Sequence, residues 1–446
     1  MSRWRRVLAA AARTVAQCRF AARTVAPPRH AARALLVLTL FWAALALAHA
    51  QPLTVRIGEP TTPIAPEAIT GFNVGLAMAV VLNLEEFAAI DLRSLRYPPG
   101  NDADDRPLTK DMMNGLQTNW QLLGEPDLHL VANYFEGPEH AVAAARHLRE
   151  LGMDPRWWAV GNEPDLYPRN RMDPSWTAEV YCERFREVRA ALEAELGEVV
   201  MTGPAVSGSR PGALEYLRAV ITRCSDVIDV ITWHVYPTDG TASDEAALAT
   251  SRQVGDEIRL IRGWLADPAV NPLGYERTFG LGITEFGLSW RTTNFRHLED
   301  MVAALWLAEA LGQMATLGLD LGQYFALQYM GGHGLIDRSG WVRHTYHVYA
   351  MLRGFGGVAR HAEGGDGRLG AYAADDGAAL RVLLVNRSNE PIDVTLQSDG
   401  LAPELEVATL DDAIFDADGG PRSAPQPASE PVHVPARAVV VVRSQP

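Results

Sequence analysis

The sequence predicts an α/β fold in which an eight-stranded (β/α)8 TIM barrel is followed by an antiparallel β-sandwich domain. Strand-like and helix-like runs alternate strictly between residues 71 and 352, and the composition changes after Gly354. The 446 residues accommodate a barrel of ~250 residues and a second domain of ~100. A hydrophobic content of 48% excludes a disordered chain.

The first 50 residues have the features of a secretory signal peptide. They contain eight arginines and no acidic residue, followed by an apolar run over 35–48 and the small-x-small sequence Ala48-His49-Ala50. We therefore predict cleavage after Ala50, a periplasmic or secreted mature protein, and no stable membrane insertion after cleavage. The alternative is an uncleaved signal anchor, although the run is shorter than the ~20 residues that span a bilayer comfortably.

Residues 51–67 precede the first predicted barrel strand and contain a strand-like run over 53–57. We expect this N-terminal strand to pair with the C-terminal sheet, which makes the second domain discontinuous in sequence. The barrel is predicted over 68–354 and the β-sandwich over 355–446.

Eight runs are predicted barrel strands, because strands buried on both faces read as continuous apolar stretches. They cover residues 71–78, 95–98, 128–134, 157–161, 199–204, 227–235, 279–284 and 321–328. Amphipathic stretches between them predict helices over 139–151, 177–196, 212–224, 244–265, 298–317 and 341–352. This alternation is typical of a parallel barrel. Two of these helices contain Cys182 and Cys224, for which a disulfide and a pair of buried thiols both remain open.

After Gly354 short strands separated by Ser, Pro and Gly predict an antiparallel β-sandwich. The predicted strands cover residues 380–386, 392–396, 405–410 and 432–442. Residues 363–380 are predicted turns, and residues 413–430 a long loop.

Two glutamates, Glu163 and Glu285, each end a predicted barrel strand. They are 122 residues apart, which corresponds to about three β/α units, so both can lie on the rim at the strand carboxyl ends. Two facing carboxylates at this rim are what retaining glycoside hydrolysis requires. A general acid needs a raised pKa, and a nucleophile needs hydrogen-bond donors that keep it ionised. Tyr236 and Arg96 are candidate donors to Glu285.

The negative charge of the mature chain argues against a nucleic-acid partner. Loss of eight arginines changes the formal net charge from −14 to −22, and Lys110 is the only lysine after residue 50. A chain without a basic stripe is unsuited to nucleic-acid binding. The expected partner is a glycoside or an oligosaccharide. His234 and Asn133, at the ends of two predicted strands, are further candidate sugar contacts, with a packed histidine and a structural hydrogen bond as alternatives.

Three motifs carry a family resemblance: Gly-Asn-Glu-Pro over 161–164, Trp-His-x-Tyr over 233–236 and Gly-x-Thr-Glu over 282–285. They resemble the clan of retaining barrel glycosidases, and the chain most resembles glycoside hydrolase family 79, the β-glucuronidase and heparanase family. Residues 97–102, which include Asn101, resemble the family's second-strand loop, and residues 328–337 resemble its Gly-rich loop after the last strand.

The resemblance implies an exo-acting, β-glucuronidase-like enzyme that needs neither a metal nor an organic cofactor. Glu163 would be the acid/base, Glu285 the nucleophile, Asn162 the ligand of the sugar 2-hydroxyl and Tyr236 the group that orients Glu285. The residues that would surround a uronic carboxylate are Trp290, Arg291, Gly331 and Gly332. The retaining mechanism predicts carboxyl carbons roughly 5–5.5 Å apart.

Two alternatives remain open at this point. The first is a retaining relative in the same clan that acts on neutral sugars, as a β-xylosidase or an α-L-arabinofuranosidase. In such a relative a hydrophobic wall surrounds the sugar C5 substituent, whereas a glucuronidase has Arg or N–H groups there. The second is a glycan-binding protein without catalytic activity.

Overall fold

The computed structural model describes residues 52–75, 79–208, 210–292 and 297–445. The predicted signal peptide over 1–50 lies outside the described residues. From residue 52 onward the chain forms one compact unit. Among the described helices, none is both long enough and apolar enough to cross a membrane.

Eight short parallel strands close into a barrel, as the sequence predicts. They are β2 (Gly71–Asn73), β3 (Ser94–Tyr97), β4 (Asp127–Ala132), β5 (Trp157–Val160), β6 (Met201–Val206), β7 (Val230–Val235), β8 (Gly280–Phe286) and β9 (Leu321–Tyr324), with β1 lying outside the barrel. Each strand pairs with its successor, and β9 closes the barrel by pairing with β2. All eight predicted strands are confirmed. The first ends at Asn73 and the last at Tyr324, earlier than their apolar runs, and residues 76–78 of the first predicted strand lie outside the described residues.

Helices connect the strands around the outside of the barrel. Those up to the sheet domain are α1 (Leu84–Ala89), α2 (Asp102–Asp105), α3 (Lys110–Leu122), α4 (Gly137–Glu150), α5 (Tyr167–Asn170), α6 (Ala178–Leu196), α7 (Pro211–Cys224), α8 (Asp244–Ala249), α9 (Gln253–Ala266), α10 (Met301–Thr316) and α11 (His344–Met351). Side-chain oxygens of Thr109, Thr177, Ser243 and Asp300 accept backbone N–H groups at four helix starts, which satisfies donors that would otherwise lack a partner.

The remaining strands form one nine-stranded sheet, in the order β15-β14-β17-β12-β11-β10-β1-β13-β16. Its members are β1 (Leu53–Ile64), β10 (Gly357–Glu363), β11 (Leu369–Asp375), β12 (Leu380–Asn386), β13 (Ile392–Gln397), β14 (Glu404–Leu410), β15 (Arg422–Pro427), β16 (Val432–Val434) and β17 (Ala438–Ser444). The N-terminal strand β1 lies inside this sheet, antiparallel to β10 and parallel to β13. The predicted second domain with a strand from the N-terminal side is therefore confirmed.

Alternate residues of the sheet face two different cores, as the two-residue period of a strand requires. Leu383 and Val385 of β12 pack in the same cluster as the barrel core. Val382 and Leu384 pack instead with residues of β1, β13 and β16, which form a separate core within the sheet domain. The sheet thus curls over its own apolar face in the manner of a sandwich.

Parts of the C-terminal prediction are wrong. The predicted loop over 413–430 contains helix α12 (Asp412–Asp418) and strand β15, and the predicted turns over 363–380 contain β11. The predicted strand over 432–442 is two strands, because the chain leaves the sheet between Val434 and Ala438.

Helix α10 joins the barrel to the sheet. Its residues from Met301 to Ala315 are all buried, and it contacts β11, β12 and β17. Buried Glu309 accepts the hydroxyl of Tyr372 at 2.5 Å and lies 3.1 Å from Nε of Arg387. Gly312 allows this packing, since a Cβ there would meet the Tyr372 ring at 2.3 Å.

Cys182 of α6 and Cys224 of α7 form a disulfide, with their Cα atoms 5.8 Å apart. Of the two possibilities that the sequence left open, the structure therefore has the disulfide. It links two neighbouring helices on the outside of the barrel.

Candidate active site

Glu163 follows β5 after Gly161 and Asn162, at the carboxyl-end rim. Its backbone is left-handed, with φ 49° and ψ 53°, a conformation that is uncommon for residues other than glycine and is frequent at functional sites. Its N–H donates to the carbonyl of Ala205 on the neighbouring strand at 3.0 Å. Two residues further on, Asp165 accepts the N–H of Ser207 at 2.8 Å and its hydroxyl at 2.6 Å. These contacts hold the turn that presents Glu163.

Glu285 lies near the end of β8 and is 4% exposed. Nη1 of Arg96, a fully buried residue of β3, donates to its Oε1 at 2.5 Å. The hydroxyl of Tyr236 donates to its other oxygen, Oε2, at 3.1 Å. Both carboxylate oxygens therefore accept a hydrogen bond, and one of these bonds is charge-assisted because its donor is a cation.

Arg96 also connects three strands of the barrel. Its Nη1 donates to Oδ1 of Asn73 on β2 at 3.0 Å, and its Nη2 donates to Oδ1 of Asn162 after β5 at 2.8 Å. Asn73 in turn donates to the carbonyl of Thr284, next to Glu285, at 2.8 Å. The rim at the two glutamates is thus fixed by a buried polar network.

Asp104, a buried residue of α2, supports the loop that carries the first glutamate. Its Oδ2 accepts the N–H of Asn162 at 2.8 Å and the hydroxyl of Tyr167 at 2.5 Å, and its Oδ1 accepts the N–H of Tyr134 at 3.1 Å. Asn162, adjacent to Glu163, is therefore held through both its backbone and its side chain.

His234 lies between the two glutamates and is fully buried. Its Nδ1 is 3.1 Å from Oε1 of Glu163 and 3.7 Å from Oε2 of Glu285. One donor atom from each of these three residues lies within 4.8 Å of the other two, a grouping that could ligate a cation. The guanidinium of Arg96 already occupies one oxygen of Glu285 and would repel a metal ion there.

The two ionisable neighbours in this group have opposite pKa shifts. Burial raises the pKa of Glu163 to about 7, against the smaller lowering effects of Arg96, Arg210 and Arg169. Burial lowers the pKa of His234 to about 4, so its imidazole is neutral at pH 7. A carboxyl group with a pKa near 7 can both donate and accept a proton in neutral solution.

An aromatic wall stands beside Glu285. The rings of Tyr236, Phe325 and His333 are mutually close, with the Phe325 and His333 centroids 5.2 Å apart. Burial lowers the pKa of His333 to about 4, so this side chain adds no charge at pH 7. Phe325 directly follows β9, and it also approaches Gly100 of the second-strand loop.

Trp290 and Arg291 lie on the loop that follows β8. Trp290 is 51% exposed. The Arg291 guanidinium lies over its ring at 4.5 Å and is 3.8 Å from a carboxylate oxygen of Asp239. Asp239 thus balances the charge of the arginine that the family resemblance assigns to a uronic carboxylate.

Gly331 and Gly332 form a tight turn after β9. The N–H of Met330 donates to the carbonyl of His333 at 3.0 Å, and the N–H of His333 donates to the carbonyl of Met330 at 3.1 Å. Gly331 is exposed and Gly332 is buried, both with positive φ values that favour glycine. Buried Arg343 donates to the carbonyl of Gly332 at 2.7 Å, which ties the turn to the following segment.

The two remaining predicted contacts differ in position. Oδ1 of Asn101 accepts from Nδ2 of Asn162 at 3.3 Å, so Asn101 lies beside the site. Asn133 accepts the N–H groups of Phe135 and Glu136 in its own rim loop and donates to the carbonyl of Arg106 in the loop that follows β3. These bonds give Asn133 a structural role in the turn.

Three residues of the site were not identified from the sequence: Asn73, Asp104 and Phe325. Asn73 gives a weak signal, since it is a polar residue inside an otherwise apolar strand. Asp104 lies in the acidic run 102–105 and resembles a surface residue by sequence. Phe325 continues an apolar strand, so its sequence context does not distinguish it from the core.

The fold is similar to those of several solved glycosidases, although no protein-family profile and no curated protein matches the chain. An α-L-arabinofuranosidase from Thermotoga maritima superposes with a TM-score of 0.72 at 15% identity, covering 88% of this chain and 100% of that one. A β-xylosidase from Caulobacter crescentus gives 0.63 at 15% identity, covering 88% and 99%. A family 44 endoglucanase from Clostridium thermocellum gives 0.62 at 14% identity, covering 89% and 100%. At these identities the similarity establishes the shared fold.

Proposed function

We propose that the chain is a retaining glycoside hydrolase with Glu285 as nucleophile and Glu163 as acid/base. The observation that carries the proposal is the close approach of the two glutamates. A carboxylate oxygen of Glu163 and one of Glu285 lie within 4.8 Å of each other at the rim of the barrel. This short separation suits the double-displacement geometry, in which the carboxyl groups are only ~5–5.5 Å apart.

In the first step Glu285 attacks the anomeric carbon while Glu163 protonates the oxygen of the leaving group. The bond to the leaving group breaks and a glycosyl ester forms on Glu285. In the second step ionised Glu163 removes a proton from water, which attacks the anomeric carbon and releases Glu285. Arg96 and Tyr236 stabilise the carboxylate of Glu285 before attack and after release.

The surroundings of the site favour a neutral sugar over a glucuronide. The side chains beside Glu285 include Tyr236, Phe325 and a His333 that is neutral at pH 7. Arg291 lies on the loop that follows the nucleophile strand, and its charge is balanced by the carboxylate of Asp239. Relatives in fold include an α-L-arabinofuranosidase and a β-xylosidase, which supports one of these two neutral glycosides as the substrate.

The proposal is tested by hydrolysis of four p-nitrophenyl glycosides with the purified protein of residues 51–446. The panel comprises α-L-arabinofuranoside, β-xyloside, β-glucoside and β-glucuronide. We expect turnover of one pentoside, with little activity on the glucuronide. NMR spectra of the first product should show the same anomeric configuration as the substrate, as double displacement requires.

Two variants separate the roles of the glutamates. Glu285→Gln should abolish turnover of every substrate. Glu163→Gln should lose roughly 10²–10⁴-fold with a poor leaving group but much less with a dinitrophenyl group, which departs without protonation. Equal losses on both leaving groups would contradict the acid role of Glu163. A wild-type protein that binds but hydrolyses none of these glycosides would support the glycan-binding alternative.

A further inference from the structure

A polar cavity adjoins the loop that presents Glu163. Its walls come from α2 and α5, the short helices that follow β3 and β5, and from the residues next to them. Its volume is about 330 Å³, at the lower end of the ~300–1,000 Å³ typical of small-molecule sites, which suits a single sugar unit. Seven residues line the cavity, and all of them have polar side chains.

The floor of the cavity is shared with the active site. It consists of the buried residues Asp104, Asn162 and Tyr167, whose mutual hydrogen bonds hold them in place. Asn162 directly precedes Glu163, and its Oδ1 accepts from the same Arg96 guanidinium that donates to the nucleophile. A ligand in the cavity would therefore lie against a residue that is linked to both glutamates.

The rim of the cavity has hydrogen-bonding groups to spare. It consists of four exposed residues, Asn101, Asp105, Asn170 and Arg171. None of the described residues accepts the amide N–H groups of Asn101 or Asn170, whose side-chain bonds engage only their oxygens. Nη2 of Arg171 donates to Oδ1 of Asp105 at 2.8 Å, which leaves Nε and Nη1 of Arg171 and Oδ2 of Asp105 without a described hydrogen-bond partner.

This mixture of groups matches a neutral ligand with many hydroxyl groups. A sugar hydroxyl both donates and accepts a hydrogen bond, so it can pair with amide, carboxylate and guanidinium groups. An apolar ligand would bury these groups without partners, which costs free energy. The lining contains two carboxylates, Asp104 and Asp105, but only one guanidinium, that of Arg171, so it disfavours an acidic sugar.

We propose that this cavity is a subsite for a second neutral sugar unit of the substrate. The inference rests on the proposed hydrolase function and deepens it. It makes the substrate an oligosaccharide or a branched glycoside, in which one sugar is bound at the two glutamates and its neighbour in the cavity. The neighbouring sugar belongs either to the glycone or to the leaving group, and both sources present the same hydroxyl chemistry.

Binding measured without turnover tests the subsite. Glu285→Gln prevents hydrolysis in the proposed mechanism, and calorimetric titration of this variant compares xylose with xylobiose and arabinose with arabinobiose. In one of the two series we expect the disaccharide to bind roughly tenfold more tightly than the monosaccharide, because the second unit gains hydrogen bonds in the cavity. Equal affinities for the monosaccharide and the disaccharide in both series overturn the inference.

Two variants, made in the Glu285→Gln protein, assign the gain in affinity to the cavity. Asn170→Leu replaces a rim amide with an apolar side chain, and Arg171→Met removes the donors of the rim guanidinium. In each, the ratio of disaccharide to monosaccharide affinity should fall to about one. Asn389→Leu and Arg368→Met, which alter exposed residues of the sheet domain, are the matched controls and should keep the gain. Thermal melts check that each variant is folded, and a gain that persists in both cavity variants overturns the assignment.

Hydrolysis by the wild type and by Asn170→Leu distinguishes the two sources of the neighbouring sugar. The p-nitrophenyl glycosides of the disaccharide and of the monosaccharide differ on the glycone side, whereas the free disaccharide and the methyl glycoside differ in the leaving group. A kcat/KM ratio that falls in the variant for the first pair places the cavity on the glycone side, and one that falls for the second pair places it on the leaving-group side. Unchanged ratios in both pairs contradict the proposal.

The two proposals fail in different ways. A protein that hydrolyses none of these glycosides contradicts the hydrolase function. The titration still decides whether the cavity holds a sugar, because it requires no turnover.

Discussion

Nη1 of Arg96 lies 2.5 Å from Oε1 of Glu285, and both side chains are buried. The same guanidinium donates to Asn162, the residue before Glu163. One cation therefore both neutralises the proposed nucleophile and links it to the loop of the proposed acid/base. Removing one partner of a buried ion pair of this kind strongly destabilises the folded protein, because the other charge is left buried without compensation.

Arg96→Met should therefore lower both stability and activity. We expect the free energy of unfolding to fall by about 3–5 kcal/mol, because Glu285 loses its buried counter-charge. Urea unfolding and kcat/KM on the best substrate measure the two effects. Arg96→Lys is the matched control, which keeps the charge but not the two-pronged geometry, and it should recover part of the stability. A Met variant as stable as the wild type would show that this pair is not needed for the fold.

Tyr236→Phe removes one donor to Glu285 without altering the ring. A hydrogen bond to a charged group contributes about 1.5–3 kcal/mol, so kcat should fall roughly 10–100-fold. The free energy of unfolding should change little, since the hydroxyl lies at the rim and the ring packing against Phe325 is retained. Steady-state kinetics and urea unfolding check both statements. A change in KM alone would argue that the hydroxyl binds the sugar and does not orient Glu285.

Activity should decline as the pH rises through about 7. Glu163 must be protonated to act as the acid, and its pKa is raised to about 7, chiefly by burial. Below this pH the acid form predominates, and above it the acid is lost. The pH profile of kcat/KM reports this group in the free enzyme. In Glu163→Gln the residual activity on a dinitrophenyl glycoside should lack this limb, and its persistence would assign the limb to another group.

The disulfide should contribute to stability and not to catalysis. Cys182 and Cys224 are 42 residues apart, and closing a loop of this length stabilises by about 4 kcal/mol in the chain-entropy description. Replacing both cysteines with alanine should shift the urea midpoint down by a corresponding amount while kcat/KM stays within twofold. Reduction of the wild type provides the same comparison without substitution. Coinciding unfolding curves for the reduced and oxidised protein would contradict this expectation.

The barrel could be predicted because its strands are apolar runs with clear breaks, and the two glutamates because each directly ends such a run. The buried polar network around Arg96 could not be predicted, because it joins residues that are distant in sequence. The amide of Asn73 reaches the carbonyl of Thr284, 211 positions away. Strand β15 escaped prediction for a different reason: it contains Pro425 and Pro427, which an edge strand bonded on one side tolerates.

Specificity was the least predictable property. The contribution of Arg291 depends on its contact with Asp239, a residue of another rim loop that no local pattern connects to it. Such properties follow only from the arrangement of several loops.

Helix α10 has consequences for protein engineering and for evolution by recombination. Its apolar sides face both the barrel and the sheet, and its buried Glu309 accepts the hydroxyl of Tyr372 and lies beside the guanidinium of Arg387, both from the sheet domain. A gene fragment that encodes the barrel alone would expose an apolar helix with a stranded carboxylate, so it should aggregate when expressed. The two parts should therefore fold only together, and exchanging the sheet with that of a relative requires transplanting α10 with it.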